Sequence, residues 1–580
     1  MRAVGLFAVF TLGKLIVLWG RDLASSVWVP LAFLWQDLAL VLVFAVFDRL
    51  SRRAALNWGI YAALVAYMAL NVPVARAVSS WLTWPMLRAV GGTLTDSIFH
   101  YLTCQNMAAV AALAATAVGV PRLLVRVTSR NWGRVGLAAL PLVALPLVAL
   151  GPLATARVET IGLDRNVVAA LVLSAFPRIA PADAEGDWRE SPLGPVQAED
   201  LSSLRGVAAG RNVLLVVLES AAAGYLRPYG AAEDPMPNLT RLADDGLLAE
   251  HAYVVYPESI KGLHAMLSSA WPAFDTAPEV YARSPHPALG TLLAQAGYRT
   301  ALFHSGRFMY LGMDSVVRDR GYQTLADAGD IGGNHESSFG VDEPATVERI
   351  FQWIDAGPKQ QPFFVTYMPV AGHHPYDTPE PGPFLEHEEI DRYRNALDYA
   401  DQALGSLLVG LRVRGLSERT LIVVVGDHGQ AFGQHEGNYG HTLFLYEENV
   451  RVPLVFAAPG AIRRPRRIGR IASHVDLAPT VLDLLGLVAP QDYQGVSLLT
   501  GRAGMALFFT DYSLGFLGLR DGRWKFIYQL EDGRSKLFDL VDDPGETVNL
   551  ADRQLERVAA YREHLLRWSA SNVGQVSMGP

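Results

Sequence analysis

Residues 212–220 read NVLLVVLES, six consecutive apolar residues closed by an acid. An unbroken apolar run of this length, without polar alternation, is a strand buried on both faces, as in a parallel sheet. The same signature returns in RTALFH (299–304), PFFVTYM (362–368), TLIVVVGD (420–427) and VPLVFAA (452–458). Amphipathic stretches separate these runs: NLTRLADDGLLAEHA (238–252), ALGTLLAQAG (288–297) and IDRYRNALDYADQALGSLLVGLRVRG (390–415). Strand–helix alternation implies an α/β domain built on a mainly parallel, doubly wound sheet. Such sheets bind ligands at the carboxyl ends of their strands. Glu219 and Asp427 both fall at such ends.

Upstream the pattern is different. The 580 residues are 51% hydrophobic and only 18% charged, with a mean hydropathy of +0.19. That composition excludes intrinsic disorder, and the apolar excess sits at the front. Five apolar stretches occupy about 4–20, 28–47, 58–77, 106–125 and 135–154, each near the roughly 20 residues that cross a bilayer. A large buried helical core is the alternative. A cleavable signal peptide fits poorly, because four more apolar stretches come after the first. Arg49, Arg52 and Arg53 lie in one connecting loop, and Arg122, Arg126, Arg130 and Arg134 in another. Placing both loops inside obeys the positive-inside rule. Five spans then put everything after Pro152 outside, in a multi-pass cell-membrane protein with an extracytoplasmic catalytic domain. Trp81, Trp84 and His100 would belong to an outer-face loop. Lys14, in the first span, is expected to face the bundle interior.

The expected organisation is a transmembrane domain over 1–156, a linker over 157–205, a catalytic domain over 206–505, and a C-terminal subdomain and tail over 506–580. The linker contains PADAEGDWRESPLGP (181–195) and one short amphipathic helix, DRNVVAALVLSAF (164–176). The tail segments ALFFTDYS, WKFIYQLEDG and SKLFDLV read as antiparallel strands. A net charge of -8 argues against nucleic acid as a partner. The single cysteine, Cys104, forbids an intrachain disulfide and a Cys-rich zinc site.

Glu219 ends the first strand of the domain, and Asp427–His428 end a later one in VVVGDHGQ. Two carboxylates and an imidazole at strand ends make a mixed oxygen–nitrogen site for a divalent metal. An acid after a strand also serves as the cap of the next helix, and for Glu219 alone that reading is equally good. GDHG carries two ionisable groups between an apolar strand and a glycine, which a cap does not require.

These segments resemble the alkaline phosphatase superfamily, in particular its sulfatase and lipoteichoic acid synthase branch, over roughly residues 210–550. NVLLVVLES is similar to the family's first strand and metal acid, MPNLTRLADDGLLAEHAYV to its next helix, and TLIVVVGDHGQAFGQHEG to its metal-binding segment. YEENVRVPLVF, SHVDLAPTVLDLLG and KLFDLVDDPGETVNLAD match three further blocks in order. Five spans before an external catalytic domain are also what the synthase group shows. The resemblance implies metal ligation by Glu219, Asp427 and His428. His373, in GHHPYDTP, matches a histidine facing the transferred group, although His374 fills the neighbouring position. It also implies substrate contacts from His441 and, more loosely, Arg307. His304 and His435 read as ordinary polar or sheet-edge histidines.

The family's nucleophile lies about forty residues beyond the first acid, at a helix start. YPESIKGLHAMLSS fits, with Ser259 as nucleophile and further metal ligand and Lys261 adding positive charge. Ser220 is the rival. A hydroxyl at a helix N-terminus would offer an adduct the unpaired backbone N–H groups there; a plain N-cap role for Ser259 is the alternative. Sulfatases need Cys or Ser in C/S-x-P/A-x-R for conversion to formylglycine. Ser259-Ile260-Lys261-Gly262-Leu263 lacks both the Pro/Ala and the Arg. An unmodified hydroxyl suits phosphoryl transfer through a covalent intermediate, whereas the DPGETVNL tail looks more like the sulfatases.

The expected activity is therefore a metal-dependent phosphotransferase or hydrolase acting on an extracytoplasmic phospholipid or glycan. Its cofactor would be one divalent ion, Mn or Zn ahead of Mg or Ca because of the imidazole ligand. A sulfuric ester hydrolase and a degenerate, glycan-binding membrane sensor are the alternatives.

Overall fold

The computed structural model describes residues 1–23, 25–89, 102–127, 131–183, 186–194, 198–333 and 340–578. His100 and Arg130 lie outside them, as does the side chain of Arg134. The chain forms two compact units, one of residues 1–177 with 433–439, the other of 178–432 with 440–580.

Helices occupy all five apolar stretches of the first unit: α1 (Arg2–Leu18), α2 (Val29–Leu50), α3 (Ala54–Val78), α4 (Cys104–Val127) and α5 (Asn131–Thr155). Among the described residues, α2, α3 and α4 are long and apolar enough to cross a membrane. At 17 residues, α1 falls just short of a typical span. Lys14 is buried, as its place in α1 requires. Its Nζ lies 2.8 Å from Asp37 Oδ2 on α2 and donates to the carbonyls of Phe33 and Asp164. Asp37 also accepts from Asn166 Nδ2 at 2.6 Å. These polar contacts tie residues 160–166 to the helices. Asn166 caps the short helix α6 (Val167–Leu173), so the segment read as a linker divides at Pro177. Its residues up to that proline pack with the helices, and those from Arg178 onward belong to the second unit.

The second unit is built on a sheet of β1 (Asn212–Leu218), β2 (Leu247–Tyr253), β3 (Arg299–His304), β4 (Thr324–Ala326), β5 (Phe363–Met368), β6 (Thr420–Gly426), β7 (Arg451–Val452), β8 (Leu454–Ala457) and β9 (Arg466–Ser473). Their order is β9-β2-β8-β6-β1-β5-β3-β4, with β7 on β2. β1 runs parallel to both β5 and β6, whereas β8 is antiparallel to its neighbours. Alternate residues of β1 enter two separate cores: Val213, Leu215 and Val217 on one face, Leu214, Val216 and Leu218 on the other. That two-sided burial is why the strand reads as one apolar run. The helices include α7 (Pro237–Asp245), α8 (Ser259–Ser268), α9 (Glu343–Asp355), α10 (Glu389–Val413) and α11 (Leu477–Leu485). β10 (Ala506–Thr510), β11 (Phe516–Asp521), β12 (Trp524–Gln529) and β13 (Ser535–Asp539) form a separate antiparallel sheet in chain order. Beyond it lies a terminal helix, α12 (Leu555–Met578).

Candidate metal centre and nucleophile

The register of β1 on β6 pairs Leu218 with Gly426, so the next residues, Glu219 and Asp427, emerge side by side at the carboxyl edge. Each offers a ligand atom within 4.8 Å of the others and of His428. His428 Nε2 lies 3.3 Å from Glu219 Oε1 and 3.5 Å from Asp427 Oδ2. Its other ring nitrogen, Nδ1, bonds the Gly429 carbonyl at 2.9 Å. That bond places one proton on Nδ1 and turns Nε2 toward the carboxylates, where a cation displacing the Nε2 proton would find the lone pair of a metal-ligating imidazole. The donor set therefore fits a divalent ion with mixed oxygen and nitrogen preferences.

The electrostatics of the bare cluster agree. Burial and the Glu219 charge push the Asp427 carboxyl up to about 7. The two carboxylates, outweighing burial, raise His428 to about 9. Glu219 is held below the usual carboxylate range by His428 despite its burial. Two acids and a proton-rich imidazole in one buried spot are the arrangement a cation replaces.

Ser259 is the first residue of α8, with Oγ 2.7 Å from Asp427 Oδ2 and 3.4 Å from Glu219 Oε2. The cap, however, is Glu258, whose carboxylate accepts from the backbone N–H groups of Ile260 and Lys261 at 3.0 and 3.4 Å. Those two N–H groups are thus engaged by the protein, contrary to the expectation that the helix terminus would present them to an adduct. Ser259 is also released from the capping role. Ser220 is buried, and its Oγ donates to Glu219 Oε1 at 2.8 Å, while its N–H donates to Asp427 Oδ1 at 2.9 Å. Ser220 orients the two acids; Ser259, half-buried, is the hydroxyl with access.

The histidine pair separates cleanly. His373 Nδ1 bonds the His374 carbonyl at 2.7 Å, and its ring is among the groups that act electrostatically on Glu219. His374 turns to Glu389 on α10, at 3.5 Å. The loop must approach closely, because a Cβ at Gly372 would sit 2.1 Å from the Glu219 carbonyl. His441 stacks on His428 with ring centroids 3.9 Å apart and bonds Gln430 Oε1 through Nδ1 at 3.1 Å. Desolvation and the neighbouring His428 hold it well below the usual histidine range, so it is a neutral imidazole.

Two expected contributors stand apart. Lys261 Nζ is buried against Asp511, 2.9 and 3.1 Å from its two oxygens, and lies 4.3 Å over the Tyr256 ring. Its charge is committed to the strand end beyond β10. Arg307 lies on the loop after β3, its guanidinium beside Gly329; among the described residues it makes no side-chain hydrogen bond to Glu219, Ser259, Asp427 or His428.

Three features escaped the sequence reading. His304 is buried at the carboxyl end of β3, not on the surface. Its Nδ1 bonds the Met368 carbonyl at 3.0 Å, and it feels the charges of Glu219 and His373. Glu343, at the start of α9, is buried and accepts from Ser305 Oγ, Val370 N and Ala371 N at 3.0, 2.8 and 3.1 Å. It thereby fixes the loop that carries His373, and burial pushes its carboxyl up to about 7. In the DPGETVNL segment, Glu546 is buried, accepting from Glu447 N at 2.6 Å and pairing with Lys525 Nζ at 2.9 Å. Glu546 thereby ties this segment to Glu447 and to Lys525 on β12.

Residues 211–487 match the Sulfatase family, and residues 435–568 match the C-terminal region of N-sulphoglucosamine sulphohydrolase. The chain is 25% identical over 316 residues to the lipoteichoic acid synthase-like protein YvgJ of Bacillus subtilis, covering 51% of each chain. It is 29% identical over 261 residues to arylsulfatase K of Bos taurus, covering 36% of this chain and 47% of the other. The matches thus span about half the length of these relatives. In fold, it is similar to a solved alkaline phosphatase superfamily protein of Vibrio parahaemolyticus, with a TM-score of 0.53 at 19% identity over 70% of this chain and 94% of that one.

Proposed function

We propose that this chain, whose residues 211–487 match the Sulfatase family and whose fold is similar to that of an alkaline phosphatase superfamily protein, moves or hydrolyses a phosphoryl-linked group through Ser259. The observation that carries the reading is a plain serine hydroxyl 2.7 Å from Asp427 Oδ2, flanked by residues that do not form the formylglycine pattern. The relatives divide between a lipoteichoic acid synthase-like protein and arylsulfatases, and the flanking residues favour the former's side. The match of residues 435–568 to the C-terminal region of N-sulphoglucosamine sulphohydrolase, which includes the DPGETVNL segment, favours the sulfuryl alternative.

Glu219, Asp427 and His428, with Ser259 Oγ, would hold one divalent ion, which would acidify the hydroxyl and offset charge on the substrate oxygens. Ser259 Oγ attacks phosphorus; the new O–P bond forms as the substrate's ester O–P bond breaks and its alcohol leaves with a proton. The proton lost by Ser259 Oγ is the one the departing alcohol takes up, and His373 would relay it, while the neutral His441 would contact the substrate without carrying charge. Water or an acceptor hydroxyl then attacks the phosphoserine and restores Ser259.

The apolar helices support membrane anchoring, and the exposed Arg49, Arg52, Arg53, Arg122 and Arg126 support an extracytoplasmic catalytic unit, where phospholipid or glycan is at hand. Comparing turnover of a phosphodiester and an aryl sulfate by the full chain tests the chemistry. Protease added to intact cells, with cleavage in residues 180–200 expected, tests the orientation.

A further inference from the structure

Within the second unit, β9 and the end of β11 border a cavity of about 660 Å³ that shares no residue with the Ser259 cluster. Five arginines line it, Arg189, Arg470, Arg502, Arg520 and Arg523, against three carboxylates. Three of the five are neutralised: Arg189 by Asp476 at 2.6 Å, Arg502 by Asp187 and Glu190, Arg523 by Asp539 and Asp542. Arg470 and Arg520 have no such close pair, the opposing charges of Asp476 on Arg470 and Glu447 on Arg520 acting only at longer range. Among the described residues neither has a carboxylate at ion-pair distance, although they are only 7% and 4% exposed. Arg470 Nη1 donates to the carbonyls of Ser497 and Thr500 and to Thr500 Oγ1, and Arg520 Nη1 to the Arg523 carbonyl. Nε and Nη2 of Arg470, and Nε of Arg520, meet no acceptor.

A buried cation with unmet donors is costly, and two in one cavity wall call for an anion. Guanidinium forks match tetrahedral oxyanions. The cavity has the size of a small-molecule site rather than of a lone ion, and Ile468, Met505 and Val541 supply apolar wall for a carbon body. We propose that this cavity is a second binding site, separate from the Ser259 centre, for a small organic phosphate or sulfate ester whose oxyanion is held by Arg470 and Arg520.

The proposal does not rest on the reaction assigned to Ser259. The test is calorimetric titration of the full chain in detergent with glucose 6-phosphate, glucose 6-sulfate and inorganic phosphate. Binding at the Ser259 centre is the component that persists in Arg470→Gln and Arg520→Gln. The second component should weaken at least about tenfold in each, as loss of a charged hydrogen bond implies. Arg470→Lys, which keeps charge but not the fork, should be intermediate. Where Arg470→Gln fails to fold, Arg520→Gln decides. Isotherms unchanged by Arg520→Gln would overturn the site. Inorganic phosphate binding there as tightly as both esters would overturn the assignment to an ester.

Discussion

Ser259 Oγ and Asp427 Oδ2 lie 2.7 Å apart, joining the first turn of α8 to the end of β6 across 168 residues of sequence. The contact survives because Glu258, not Ser259, caps the helix. The hydroxyl is therefore free to serve chemistry.

Ser259→Ala should lower turnover at least about a thousandfold, as removal of a covalent nucleophile does. Stability should fall by only about 1–2 kcal/mol, since the bond to Asp427 is lost but no capping bond is. Steady-state kinetics and thermal denaturation of the same preparation check both halves. Undiminished activity would move the nucleophile elsewhere.

Metal content should track the ligand set. Elemental analysis of the full chain should find a divalent ion that Asp427→Ala and His428→Ala largely lose, and chelation should abolish turnover in the wild type. Equal metal in wild type and Asp427→Ala would contradict the assignment.

Glu343 gives a pH signature. Its carboxyl is raised to about 7 in the fold from 4.5, so the folded state binds the proton more tightly than the unfolded one. Stability should fall as pH rises from about 5 to 8, by up to about 3 kcal/mol at this site, and level off above. Glu343→Gln should flatten that slope while keeping an acceptor for Val370 and Ala371. Denaturation across this range checks it; an unchanged slope would refute the role.

Lys261→Ala should destabilise the protein by about 2–3 kcal/mol, because Asp511 loses its nearest counter-charge while Tyr256 OH and Asp275 N–H still donate to it. KM should be unaffected if Lys261 does not touch substrate. A large rise in KM with stability unchanged would restore a substrate role for Lys261.

The strands were legible because burial on both faces leaves no polar residue in β1 between Asn212 and Glu219. The acid–imidazole cluster was legible because GDHG sets an acid and an imidazole together at a strand end, where a helix cap needs only one polar group. The features that stayed hidden depend on long-range partners. Nothing near Lys261 announces Asp511, 250 residues away, so its charge read as available. Glu343 begins an ordinary helix, and only the return of the 370–374 loop gives it a purpose. His304 looked like a polar strand end until β3 and β5 placed it beside the Met368 carbonyl. Lys14 was the converse case: a charge within an apolar stretch must be paired, and Asp37 pairs it.

The most direct test of the central claim is mass spectrometry of the peptide containing Ser259, from resting enzyme and from enzyme quenched during turnover of a phosphodiester. The account predicts unmodified serine at rest and a phosphoryl group on Ser259 after the quench. Formylglycine at this position, with aryl sulfate turned over far faster than any phosphodiester, would contradict it.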